Sequence, residues 1–228
     1  MLHLLRSGAL EPLGFLPRAS NATLLARVRD DEHEALAVYK PRRGESPLWD
    51  FPDGTLCLRE QAAWVVDACL GWSIVPPTVL REAVAGFGAV QLFVHENDSV
   101  DPDDLLKTHP EDLLRIAVFD VLINNADRKA GHLIADGRGK LWGVDHGLGF
   151  HEEPKLRTVI WAFAGDPIPP DLLRDLERFQ ADESVDESLE ALLRIQEVKA
   201  LRARADRLLR TRRLPDPGSG HNVPWPPW

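Results

Sequence analysis

The 228-residue chain is 44% hydrophobic and 28% charged, ordinary globular proportions with room for one substantial core or two small lobes. Its net charge of −9 argues against sequence-independent binding to nucleic acid, which needs a basic footprint. Apolar runs stay well short of the roughly eighteen residues a transmembrane helix needs, and the opening "MLHLLRSGAL" lacks the apolar core of a signal peptide. The two cysteines, Cys57 and Cys69, read as separate buried thiols in a reducing cytoplasm.

The elements run strand-rich first and helix-rich later. "GFLPRASNATLLARV" (14–28) reads as two short strands around a polar turn, and "ALAVYK" (35–40) as a strand that ends at Lys40 because Pro41 stops it. The Pro- and Gly-containing stretch 41–55 is a loop. From Arg59, apolar residues at Ala62, Val65, Val66, Cys69 and Leu70 predict a helix with Gly71 as its C-cap. Residues 75–95 read as two strands around a Gly-rich turn. After the acidic link 96–104, "PEDLLRIAVFDVLINN" (110–125) is a long apolar helix ending on asparagines. A hairpin over 132–145 follows, then helices near 170–180 and 186–211. The expected organisation is a strand-rich lobe over 1–97, a helical lobe over 98–213, and a Pro/Trp tail over 214–228 without regular structure. A cleft between lobes is a common ligand site.

The loop "NNADRKAGHLI" (124–134) sets Asp127, Arg128, Lys129 and His132 within six positions. With a hairpin turn at Gly137 and Arg138, His132 faces Gly143, and Asp145 projects to the same side as His132. A three-residue turn would reverse that parity. Two carboxylates, an imidazole and two bases in one region suit phosphoryl transfer: one acid orients the acceptor, a second holds a divalent metal on the phosphates, and a distant strand lysine braced by a helix glutamate grips the nucleotide. Lys40 and Glu60 fit the last two roles.

Each residue also has a plainer role: Lys40 as an edge lysine, Glu60 as a complement to the helix dipole, Asp127 and Asp145 as turn formers, His132 as a loop brace. Arg128 reads as a structural anchor, and Asp120, inside an apolar helix, as a buried structural acid. The arginine-rich run 202–213 reads as a solvated helix face. In the tail, Trp225 and Trp228 are expected to fold back over an apolar groove.

Taken together, "AVYKP", "FPDGTLCLREQAAW", "VPPT", "VQLFV", "FDVLINNADRKAGHLI" and "WGVDHGLGF" resemble, in order over residues 14–165, the phosphatidylinositol 3-/4-kinase-like branch of the protein-kinase fold, and especially a small bacterial family within it. The resemblance implies an α+β, two-lobed kinase-like fold with ATP in the cleft. It implies that Lys40 contacts the α/β-phosphates, that Glu60 pairs with it, and that Asp127, with Lys129 beside it, serves the catalytic loop. Asp145 would bind the metal, Mg²⁺ or Mn²⁺, with His132 beside it. Ser20, Asn21 and Thr23 would form the phosphate-covering turn, and Gln91, Phe93 and Val94 would lead to the adenine-contacting link. Two departures stand out. His132 occupies a position where the family usually has Asn, and imidazole suits Mn²⁺ or Zn²⁺ better than Mg²⁺. The covering turn also lacks a G-x-G pattern. The implied activity is phosphate transfer to a lipid, small-molecule or protein hydroxyl. A nucleotide-binding pseudokinase switch and an AMP-transferring enzyme are the alternatives.

Overall fold

The computed structural model describes residues 1–16, 21–97 and 99–228. A five-stranded antiparallel sheet forms the first lobe: β1 (Ala9–Phe15), β2 (Leu24–Arg29), β3 (Glu34–Pro41), β4 (Thr78–Ala83) and β5 (Gly86–Leu92), in the order β1-β2-β3-β5-β4. In β2 the buried residues Leu24, Ala26 and Val28 alternate with more exposed neighbours, the period-two signature of a sheet covered on one face. They pack with Ala37, Tyr39, Val79 and Val90, and with Leu4 and Leu5 of the short helix α1 (Leu2–Ser7). Helix α1 and most of β1 escape the sequence reading. The first is one short turn and a half, and β1 is an exposed edge strand carrying Pro12 and little apolar alternation.

Helix α2 (Leu56–Leu70) joins β3 to β4 and ends at Gly71 with φ 74°, the left-handed C-cap expected there. It begins three residues before the predicted start. Its inward residues Ala62, Ala63, Val66 and Leu70 belong to the larger, helical core rather than to the sheet's own cluster. That core is built around α4 (Pro110–Ile123), whose Ile116, Val118, Phe119, Leu122 and Ile123 are buried on all sides. The short α3 (Leu105–Thr108) precedes it. The helices α5 (Pro170–Ala181), α6 (Ser184–Glu190) and α7 (Ile195–Thr211) complete the second lobe. The single helix read over 186–211 is therefore two, with a break at 191–194.

The hairpin of β6 (Leu133–Ala135) and β7 (Leu141–Gly143) pairs Leu133 with Gly143 and Ala135 with Leu141. This corrects the register by one residue. The turn has three residues, with Gly139 at φ 80°, and Asp136 Oδ1 accepts the amides of Arg138 and Lys140. A two-residue turn offers no place for that left-handed third position. The tail lacks regular structure, as expected, and folds back: Asn222 O accepts from Thr158 N and Trp161 Nε1, and Pro227 O accepts from Ala130 N. The tryptophans do not cover a groove. Trp225 and Trp228 are 85% and 74% exposed and meet each other edge-on. Both cysteines are free. Among the described residues, no helix is long and apolar enough to cross a membrane.

Candidate active site

The site lies where the sheet, α2 and the segment after β7 converge. Lys40 sits on β3 opposite Ala89 of β5, one residue before the proline that ends the strand. Its ammonium donates to Glu60 Oε1 of α2 and, at 2.7 Å, to Asp145 Oδ1. Burial disfavours the charged lysine, but the Asp145 and Glu60 carboxylates outweigh that and hold its pKa above the ordinary lysine value. Packing against protein works against the Asp145 carboxylate although about half of its side chain stays open to solvent, yet Lys40 and His132 hold its pKa well below the usual range. Glu60 is buried, and that burial raises its pKa despite the lysine. Gly147 N donates to the same Glu60 oxygen at 3.2 Å, so α2 and the segment following Asp145 are tied through one atom.

His132 Nε2 lies 3.3 Å from Asp145 Oδ2. The contact does not come from shared-face alternation, because regular pairing stops at Gly143. Val144 N donates to His132 O, and Asp145 then turns to φ 60°, a left-handed conformation that Asp tolerates better than most residues. That twist returns its carboxylate to the imidazole. Burial, with the positive charges of Arg128, Lys40 and Lys129, depresses the His132 pKa to about 4 even though Asp145 opposes the shift, so the ring is neutral near pH 7. Lys129 N donates to His132 Nδ1 at 3.4 Å, which assigns the ring proton to Nε2, facing Asp145. Ligation of a metal through Nε2 requires the other tautomer and loss of the Lys129 bond.

Asp127 and Lys129 form a pair of their own, Nζ to Oδ2 at 3.1 Å. Burial raises the Asp127 pKa, and Asp145 lies near enough to raise it further. The loop that carries them is fixed from beneath. Helix α4 ends at Asn124 with φ 56°, and the Asn124 side chain donates to His151 O and Glu153 O. Asn125 Oδ1 accepts Asp127 N, while its amide donates to Asp120. Arg128 is fully buried. It donates to Asp120, to Val144 O and to His146 Nε2, and its backbone bonds to Arg157 and Val159. The structural roles read for Asp120 and Arg128 are as observed.

Among the described residues, Asn21, Thr23, Gln91, Phe93 and Val94 take no part in these contacts. Ser20 lies outside the described residues. Asn21 Oδ1 accepts Ser46 N, and Ala22 N donates to Gly44 O, so these two residues before β2 are stitched to the β3–α2 loop; Thr23 is buried. Gln91 is buried in the sheet with its amide donated to Thr78 Oγ1, which leaves that side chain to the sheet. Phe93 and Val94 follow β5 on the link between lobes, where Phe93 packs edge-on against His95 and Asn97 N donates to Ala135 O of the hairpin. Sequence reasoning missed Asn125, His146 and Gly147. The tripeptide Asp145-His146-Gly147 was visible, but nothing in the sequence indicated that His146 would meet Arg128.

Among the described residues, no group of three or more His, Cys, Asp or Glu side chains is arranged to hold a metal ion. A cation that keeps several waters and takes oxygens from a bound phosphate needs only one or two protein ligands. Asp145, 49% exposed and ionised, with His132 beside it, meets that smaller requirement.

No protein-family model matches the sequence. Protein Rv2133c of Mycobacterium tuberculosis is 40% identical over 260 aligned positions, covering 97% of this chain and 93% of that protein. The chain belongs to the Rv2133c family. Phosphatidylinositol 4-kinase gamma 4 of Oryza sativa is 28% identical over 75% of the chain, and the Arabidopsis thaliana protein of the same name is 27% identical over 58%. The chain spans 35% and 29% of those two plant proteins. Among solved structures, the Golgi casein kinase superimposes with a TM-score of 0.56 at 15% identity, over 92% of this chain and 72% of that one. The Helicobacter pylori proinflammatory kinase CtkA gives 0.52 at 14% identity, over 92% and 94%. The fold is thus kinase-like: α+β, with a strand-rich and a helical lobe.

Proposed function

We propose that the chain is an ATP-dependent phosphotransferase of the phosphatidylinositol 3-/4-kinase-like type, moving the γ-phosphoryl group to a hydroxyl acceptor. One observation supports this reading above all others: a strand lysine that contacts both a helix glutamate and the aspartate of a "DHG" segment. A lysine braced in this way presents a fixed positive charge to nucleotide phosphates. The alignment with plant proteins named as phosphatidylinositol 4-kinases supports the finer assignment.

In this reading Lys40 grips the α/β-phosphates and Glu60 holds it in place. Phe93 and Val94 lead to the adenine-contacting link, and Ser20, Asn21 and Thr23 belong to the phosphate-covering turn. Asp127 accepts the acceptor's hydroxyl proton as that oxygen bonds to the γ-phosphorus and the bond to the leaving ADP oxygen breaks. Its raised pKa makes it a better base than an exposed carboxylate. Lys129 stays beside it and offsets charge on the transferring group. Asp145 and His132 would hold Mg²⁺ or Mn²⁺, which neutralises phosphate charge when bound. ATP turnover by wild type, Asp127→Ala and Asp145→Ala, in Mg²⁺ and in Mn²⁺, tests the assignment, and equal rates for all three refute it.

His132 in place of Asn gives a second reading its specific support: a nucleotide-sensing pseudokinase. Nucleotide-dependent thermal stabilisation without phosphate release in either metal selects it. Product mass separates phosphate transfer from AMP transfer.

A further inference from the structure

Helix α2 carries Glu60, and the rigidity of that helix decides whether the Lys40–Glu60 pair is standing or switchable. Glu60's neighbour Arg59 is only 1% exposed and forms an ion pair with Glu197 of α7, also 1% exposed, at 2.7 Å. Its other arm donates to Gly149 O at 2.8 Å, four residues after Asp145, and its guanidinium lies over the Phe51 ring. Phe51 in turn packs edge-on against His151. Glu197 is held by Arg194 through the N-terminal backbone and side chain of α7. Glu45 accepts the first amides of α2, Leu56 N and Cys57 N. At the other end, Trp72 Nε1 donates to Asp175 of α5, and Arg178 donates to Leu70 O.

We infer that Arg59 is a positioning residue: through Glu197 and Gly149 it pins α2 and the Asp145 segment to the second lobe, so the nucleotide-gripping pair is assembled permanently, without an activating event. The inference rests on the phosphotransferase reading for its functional meaning, not for its geometry. A buried ion pair is costly to form and costlier to break from one side. What it joins gives it a use: from the position beside Glu60 on α2, one guanidinium fork reaches both α7 and the segment that follows Asp145. Enzymes that switch by moving the equivalent helix need that helix loosely held. In this chain both ends of α2 are fastened to α5 and α7.

The test uses the full chain with Arg59→Met and Glu197→Met combined, which removes both charges of the buried pair at similar volume; the half-exposed Arg194 loses Glu197 but keeps water and Glu152 at 3.8 Å. Glu197→Gln, whose amide oxygen can still accept from Arg59, serves as the second variant if the double one does not fold. Native-state hydrogen exchange without nucleotide is expected to accelerate about tenfold or more in residues 56–62 and 146–150, with the rest within about twofold. The KM for ATP is expected to rise about tenfold, with a smaller change in kcat. Exchange that is unchanged, or raised equally along the whole chain, overturns the inference. So does an unaltered KM beside accelerated local exchange. If the wild type binds no ATP, the phosphotransferase reading falls and the exchange result alone decides the role of Arg59.

Discussion

Lys40 Nζ stands 2.7 Å from Asp145 Oδ1, although the two residues are 105 positions apart and belong to different lobes. The same ammonium also holds Glu60, so one cation joins β3, α2 and the segment after the hairpin. This lysine has two anions against it.

Lys40→Met is expected to lower kcat/KM for ATP by about 10²–10³, the usual effect of removing one fixed donor from charge developing in a transition state. It also strips the buried Glu60 of its counter-charge, which costs about 1–3 kcal/mol of stability. Steady-state kinetics with a denaturation curve on the same preparation measure both effects.

His132 gives the fold an acid sensitivity. Its pKa falls from an ordinary 6.5 to about 4 in the folded chain, so between those values the unfolded state binds more protons than the folded one. Stability contributed by the neutral ring is complete above pH 6.5 and is lost progressively as pH falls toward 4. His132→Asn is expected to flatten the pH dependence of Tm in that window. A slope identical to wild type between pH 6.5 and 4 contradicts the assignment.

Asp120→Ala is expected to cost about 3–5 kcal/mol, because it leaves the fully buried Arg128 guanidinium without its carboxylate. The loss is local in origin: Arg128 also holds Val144 O and His146, so the loop bearing Asp127 loosens together with the strand end bearing Asp145. Chemical denaturation reads the first effect, and exchange at 126–146 the second.

Shortening the chain after residue 220 removes the acceptors of Ala130 N, Thr158 N and Trp161 Nε1. The freed groups reach water, so the expected stability loss is small, about 1–3 kcal/mol in sum. Faster exchange at the Ala130 and Thr158 amides is the specific sign, and its absence shows that the tail does not support the loop.

The parts legible in the sequence were those carried by long periodic segments and stop signals. Helix α4 with its asparagine end, α2 with Gly71, and the strand closing on Lys40 and Pro41 all lie where hydrophobic spacing and cap chemistry put them. The hairpin register was not legible, because two- and three-residue turns share the same Gly-Arg-Gly composition and differ only in whether Gly139 takes a positive φ. His132 and Asp145 do meet, but by a backbone twist at Asp145 that alternation cannot foresee. The Arg59–Glu197 pair spans 138 positions, and nothing in the local pattern of either helix marks its partner.

Helix α2 carries a consequence for how the chain can be divided. Its buried apolar residues join the second lobe's core rather than the sheet's own cluster, although the helix also lies against β4 and β5. A fragment cut at the link near residue 97 would leave Ala62, Val66, Leu70 and Trp72 uncovered, a continuous greasy stripe prone to self-association. The strand-rich half is therefore not an autonomous piece: it borrows its solubility from the other half, and the two are expected to melt in a single cooperative transition.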